Sequence, residues 1–162
     1  MSITLTAKSA CPCDLESLYG DCCEKFISGK EIAETPDLLM RSRYTAFVVG
    51  AYDYLRATWS PETLPEDLSE DEPANWIGLE IIDWGMDEEE VEGEVEFKAK
   101  QIFDNKLEIL HEVSTFDKID GKWVYHSGEF KNDGDHITKI SKTAECPCGS
   151  GKNFKNCHYQ AS

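Results

Sequence analysis

Val91-Glu-Gly-Glu-Val-Glu-Phe-Lys-Ala-Lys-Gln-Ile-Phe103 is the stretch whose reading decides the fold. Val91, Val95, Phe97, Ala99 and Phe103 share one parity, while Glu92, Glu94, Glu96, Lys98 and Lys100 take the other. Successive side chains of a strand point to opposite faces, so this pattern predicts a half-buried strand with an apolar inner face. Two strand-like runs follow, Leu107 to Ile119 and Lys122 to Phe130, and one precedes it, Trp76 to Trp84. Asp104-Asn105 and Asp120-Gly121 fall between runs, where two-residue hairpins need positive φ. The four runs predict an antiparallel meander.

Upstream, the pattern changes period. Thr35 is a candidate helix cap, Pro36 suits the first helical position, and Asp37 suits the positive helix end. Leu39, Tyr44, Phe47 and Val48 fall near one face of a helix running to about Val49. A second short helix is expected from Ala51 to Ala57, after which Pro61, Pro65 and Pro73 force a loop. Helices followed by a meander make an α+β chain. His111 shares parity with Leu107, Ile109 and Val113 and is expected to point inward.

The chain of 162 residues is long enough for one core with small appendages. Its 40% hydrophobic and 30% charged residues are ordinary for a globular protein. No apolar run reaches the length of a membrane span, and Met1 to Ala10 lacks the cationic start and apolar stretch of a secretory signal. The expectation is a cytoplasmic protein without a membrane partner. A formal charge of −16 argues against nucleic acid as the main partner. From Ala57 to Phe97 there is no Lys or Arg against fifteen Asp and Glu. This stretch reads either as a solvated acidic face or as a docking surface for a basic partner.

The cysteines carry the chemistry. Cys11-Pro-Cys13, eight residues, then Cys22-Cys23 is matched by Cys146-Pro-Cys148, eight residues, then Cys157-His158. Tyr19 and Phe154 also fall in step, so a thirteen-residue pattern is written near both ends of the chain. Structural zinc takes four Cys or His ligands in a tetrahedron, and each segment supplies four. Iron also suits thiolate-rich sites. A pair of buried or redox-active thiol clusters is the other reading. Gly149 and Gly151 would let the second loop aim backbone amides at the Cys146 and Cys148 sulfurs, whereas the first loop carries Asp14, Leu15 and Glu16 there.

The second segment, Cys146-Pro-Cys148-Gly-Ser-Gly-Lys152-Asn-Phe154-Lys155-Asn-Cys157-His158, closely resembles the SEC-C motif. That motif is the metal-binding tail of the translocation motor SecA, where it docks on the chaperone SecB; related tails have been linked to ribosomes. With the N-terminal cluster and the run Thr35-Pro36-Asp37-Leu38-Leu39-Met40-Arg41-Ser42-Arg43-Tyr44-Thr45-Ala46-Phe47, the chain resembles the YchJ family. The resemblance implies a cone-like antiparallel sheet wrapped on N-terminal helices, similar to nuclear transport factor 2, flanked by two zinc-knuckle motifs. The organisation expected is a metal motif over residues 1–30, the cone over 31–135 and the SEC-C motif over 142–162, with the polar segment from Lys131 to Glu145 either a tether or, being short, a link that lets the motif pack on the core. The resemblance also implies a protein partner, a SecB-like chaperone or the ribosome, with Lys152, Phe154 and Lys155 as contact residues.

Charge separates the two motifs. A zinc ion held by four thiolates carries about −2, and one held by three thiolates and an imidazole about −1. Adding Asp14, Glu16 and Asp21 brings the first motif to about −5, and adding Lys152 and Lys155 brings the second to about +1. The alternative function is small-molecule binding or proton transfer in the cone pocket, isomerase- or dehydratase-like, with Tyr44, Asp83, His111 and Glu112 as pocket candidates. Arg41 and Arg43 could bind an anion there or pair with carboxylates.

Overall fold

The computed structural model describes residues 6–13, 17–65, 75–131, 137–148 and 150–159, together with the side chains of all of these except Asn75 and Phe103. Helix α1 (Cys23–Ile27) leads to α2 (Pro36–Val49) and α3 (Tyr52–Ala57). Strands β1 (Asn75–Met86), β2 (Glu92–Phe103), β3 (Lys106–Ile119) and β4 (Lys122–Phe130) form the antiparallel meander in sequence order, and β5 (Ile137–Lys139) pairs with β3. The expected elements are present. The first strand is longer than its apolar run, extending to Met86, and the third helix begins one residue later, at Tyr52. Both hairpins are tight turns with positive φ at Asp104, Asn105, Asp120 and Gly121, the backbone that the Asn and Gly positions favour.

Helix α2 starts from an extended Thr35, but the Thr35 hydroxyl donates to the Asp37 carboxylate rather than capping an amide. The helix ends on Gly50 in the left-handed conformation. It lies across the inner face of the sheet, against β1, β2 and β4. Val95, Phe97 and Ala99 of β2 point at it and join Leu39, Tyr44, Phe116 and Trp123 in one core. Gly93, on the same parity, is where α2 comes closest: a Cβ there would meet Pro36 Cγ at 2.5 Å. The inward alternation of β2 is therefore as its sequence predicts, with a gap left for the helix start.

Two expectations need correcting, and one open alternative is decided. Phe47 is 38% exposed, because α2 is covered on two sides by the sheet and the N-terminal motif and Phe47 faces neither. His111 points outward. The register sets it opposite Lys98 and sets Glu112 opposite Phe97, so the inner parity of β3 runs through Glu112, Ser114 and Phe116. The apolar parity of β3 faces out instead. Of the two readings of the link to the C-terminal motif, its described residues, Lys131 and 137–145, favour packing over a tether. Lys131 donates its amide to the His111 carbonyl, β5 pairs with Lys106 to Glu108, and the Ile140 amide reaches Asn105. Strand β5 thereby continues along the edge of β3 beyond the end of β4, and edge pairing satisfies backbone groups that a tether would leave to water.

Candidate metal centres

Each thirteen-residue motif folds in the same way. The Cys11 and Cys146 amides donate to Ser17 and Lys152 carbonyls, both at 2.9 Å. Tyr19 and Phe154 amides reach Ser9 and Ala144, and each aromatic residue opens a single turn of 3-10 helix, Tyr19–Asp21 and Phe154–Asn156. Both rings are buried, at 7% and 0% exposure. Cys22 and Cys157 then take nearly the same unusual backbone, φ/ψ of −127/−109° and −130/−96°. The sequence repeat is a structural repeat at the level of single hydrogen bonds.

Each loop gathers its four donors. Cys11, Cys13, Cys22 and Cys23 offer sulfurs all within 4.8 Å of one another, as do Cys146, Cys148 and Cys157 with the ring nitrogen of His158. The closest approaches are 3.5 Å for Cys13–Cys22 and for Cys148–Cys157, 3.9 Å for Cys22–Cys23, and 3.2 Å from His158 Nδ1 to the Cys146 and Cys157 sulfurs. A tetrahedral ion with metal–sulfur bonds near 2.3 Å needs donor separations of about 3.6–3.8 Å. A disulfide would need sulfurs at about 2 Å. The donor type, number and spacing fit a tetrahedral thiolate metal ion such as zinc, with Cys11, Cys13, Cys22 and Cys23 holding one and Cys146, Cys148, Cys157 and His158 the other.

Thiol chemistry agrees. Within the N-terminal cage, hydrogen bonds from Cys13 and Cys23 hold Cys11 far below the ordinary thiol range, while burial pushes Cys22 up to about 12. Cys23 is raised by its hydrogen bonds to Cys11 and Cys13. A metal ion entering such a cage displaces the thiol protons. In the C-terminal cage burial raises Cys146. Burial also acts on Cys148, but the Ser150 hydroxyl and backbone amide, with Cys157 and Cys146, outweigh it and lower the thiol. Gly151 has φ +81°, the left-handed backbone that a glycine allows in this loop. Gly149, Asp14, Leu15 and Glu16 lie outside the described residues.

The two cages differ in setting. All four N-terminal cysteines are at most 6% exposed and belong to the same apolar cluster as Val95, Phe97 and Trp123. The C-terminal cage sits in a separate cluster with Phe154, packed on Ile102 and Ile77 from the outer side of the sheet. Its Cys148, Cys157 and His158 are half-buried. Phe154 is wholly interior to its motif, so the exposed residues of that motif include Lys152 and Lys155 but not Phe154. Ile102 escaped the reading of β2, although an apolar residue on the wrong parity near a strand end is a signal that a second surface covers it.

The catalytic candidates do not converge. Tyr44 is a core residue, its ring edge-on to Trp76 at 6.2 Å. Asp83 lines a groove of about 1030 Å³ on the outer sheet face, alongside Asp87, Glu92, Glu94 and Glu96. His111 Nε2 lies 2.7 Å from Glu96 on that outer face, while Glu112 is inside, accepting from Ser114 at 3.0 Å. An open apolar cleft of about 810 Å³ between α1, α3 and the β3–β4 turn is lined by none of the four. Arg43 is 3% exposed, held between the rings of Trp59 and Tyr125 and donating to the Leu55 carbonyl and the Thr58 hydroxyl. Arg41 donates to the Cys13 carbonyl at 2.7 Å.

Fold and site together define an α+β protein with a nuclear transport factor 2-like middle domain and a SEC-C motif. The family described as YchJ, middle NTF2-like domain, matches residues 35–128, and the SEC-C motif matches 143–160. The chain belongs to the YchJ family, whose curated members carry the name UPF0225. It is 36% identical to a UPF0225 protein of Serratia proteamaculans over 91% of this chain and 96% of that one. It is 37% identical to one of Sodalis glossinidius over 93% and 97%. Among solved structures, a SEC-C motif protein from Psychrobacter arcticus superimposes with a TM-score of 0.66 at 30% identity, covering 94% of this chain and 96% of that chain. One from Rhodopseudomonas palustris gives 0.68 at 28%, covering 75% and 98%. Among the described residues no helix is long and apolar enough to cross a membrane.

Proposed function

We propose that this protein is a metal-dependent interaction module in which the N-terminal centre is structural and the C-terminal centre presents the contact surface. Zinc is the ion the donor sets favour, with iron the other candidate. The observation that carries the reading is electrostatic. On a chain of formal charge −16, Lys139, Lys142, Lys152 and Lys155 are all exposed on β5 and the C-terminal motif, with Glu145 the one acidic residue among the described residues of that segment. Such an island steers an acidic protein surface toward this end of the molecule while the remainder repels it. By resemblance to SEC-C tails, the partner is a SecB-like chaperone or a ribosomal surface, met in a cytoplasmic setting.

The test is capture of purified SecB-type chaperone and of ribosomes by the intact protein and by a Lys152→Glu, Lys155→Glu variant. Both positions are exposed, so the variant keeps the cage and the fold. Capture should fall at least tenfold in the variant and weaken with salt in the parent. Undiminished capture by the variant, or by a chain lacking residues 142–162, rejects the reading.

A further inference from the structure

We infer that Arg41 and Thr45 of α2 form the outer shell of the N-terminal metal centre, making that centre a part of the cone's own frame. This inference rests on reading Cys11, Cys13, Cys22 and Cys23 as a metal cage. A divalent ion with four thiolates carries about −2, and this cage is buried. A buried charge of that size needs donors directed at it. Helix α2 supplies them from one face. Thr45 is fully buried and its hydroxyl donates to Cys23 Sγ at 3.3 Å, with Cys11 Sγ at 3.8 Å. Four residues earlier, and so one turn away, Arg41 brings its guanidinium to the Cys13 carbonyl at 2.7 Å. A threonine inside a helix usually turns its hydroxyl back to the carbonyl one turn earlier. Here it is directed at the Cys23 sulfur, with that of Cys11 beside it.

The C-terminal centre is built differently. Its sulfur-directed hydroxyl, Ser150, comes from its own loop and lies 3.4 Å from Cys157 Sγ. With a histidine in place of a fourth thiolate it carries less charge to offset. The N-terminal cage therefore depends on a helix of the cone, and Thr45 is a positioning residue for it.

The test uses the full chain with Cys157→Ser and His158→Ala, leaving the N-terminal cage as the complete four-ligand site, titrated with cobalt(II). Thr45→Val should weaken cobalt binding about 10- to 100-fold. It should also move the sulfur-to-cobalt charge-transfer bands to lower energy, because sulfurs without the hydrogen bond give up electrons more readily. Thr45→Ser should restore both affinity and band position, which a packing role alone would not do. Arg41→Met, which removes charge without touching a sulfur, should weaken binding with little band shift. Unchanged affinity and bands in Thr45→Val, or unchanged affinity in Arg41→Met, overturn the inference. Failure of the parent background to take up cobalt overturns the metal reading of the cage beneath it.

Discussion

Glu112 shows what a single residue does when the register fixes its side. Inward parity places it opposite Phe97, with its carboxylate beside Ser114 and Gly128, and burial pushes that carboxyl above the usual range despite the hydroxyl of Ser114. A carboxyl raised in the folded state contributes stability that is fully present below its unfolded value, about pH 4.3, and is lost as pH rises through the folded value. Glu112→Gln stays neutral throughout. The melting temperature of the variant should match the parent in acid and exceed it at neutral pH. Thermal unfolding of both across that window measures the difference, and a gap that does not change with pH excludes this account. At the same scale, Thr45 and Arg41 were visible as residues of a helix but not as neighbours of sulfur. Their spacing of four places them on one face, yet nothing local says that a cysteine loop 22 to 34 positions earlier folds onto that face.

Among the elements, β2 carries two jobs on its two faces. Its inner parity builds the core with α2, while Ile102, from the outer parity, is 4% exposed and anchors the C-terminal motif. Removing that side chain should cost about 2–5 kcal/mol of docking and packing energy. In Ile102→Ala, amide hydrogen exchange in β5 and residues 142–159 should quicken while the β2–β3 ladder stays protected. Equal loss of protection in both would mean that the motif and the sheet form one cooperative unit. The meander itself was legible because alternation and turn chemistry are local. The facing of β3 was not. Its outward parity is the more apolar one, with Leu107, Ile109 and Val113 on the face where the C-terminal motif packs on Ile102.

For the whole molecule, the two cages differ in depth although they share a backbone. The N-terminal ligands lie inside the main core and the C-terminal ligands in a satellite cluster. A chelator should therefore draw out metal in two phases. About one equivalent should leave quickly from the half-buried cage, without loss of the main thermal transition. The second should leave slowly, at a rate set by opening of the core, and take cooperative unfolding with it. A metal indicator dye and circular dichroism followed together give both readouts; a single phase would show that the burial difference has no kinetic consequence.

The sequence alone determined the cages, because thirteen residues of repeated spacing fix the backbone hydrogen bonds that bring four ligands together, and it determined the meander, because strand alternation and hairpin turns are set within a few residues. Only the tertiary structure decided that one cage is embedded against α2 and the other rests on the outer sheet face, that His111 looks out and Glu112 in, and that residues 137–139 pair along the edge of β3. Those outcomes depend on which apolar surfaces cover one another across the chain, and burial of that kind is a property of long-range packing that no local spacing encodes.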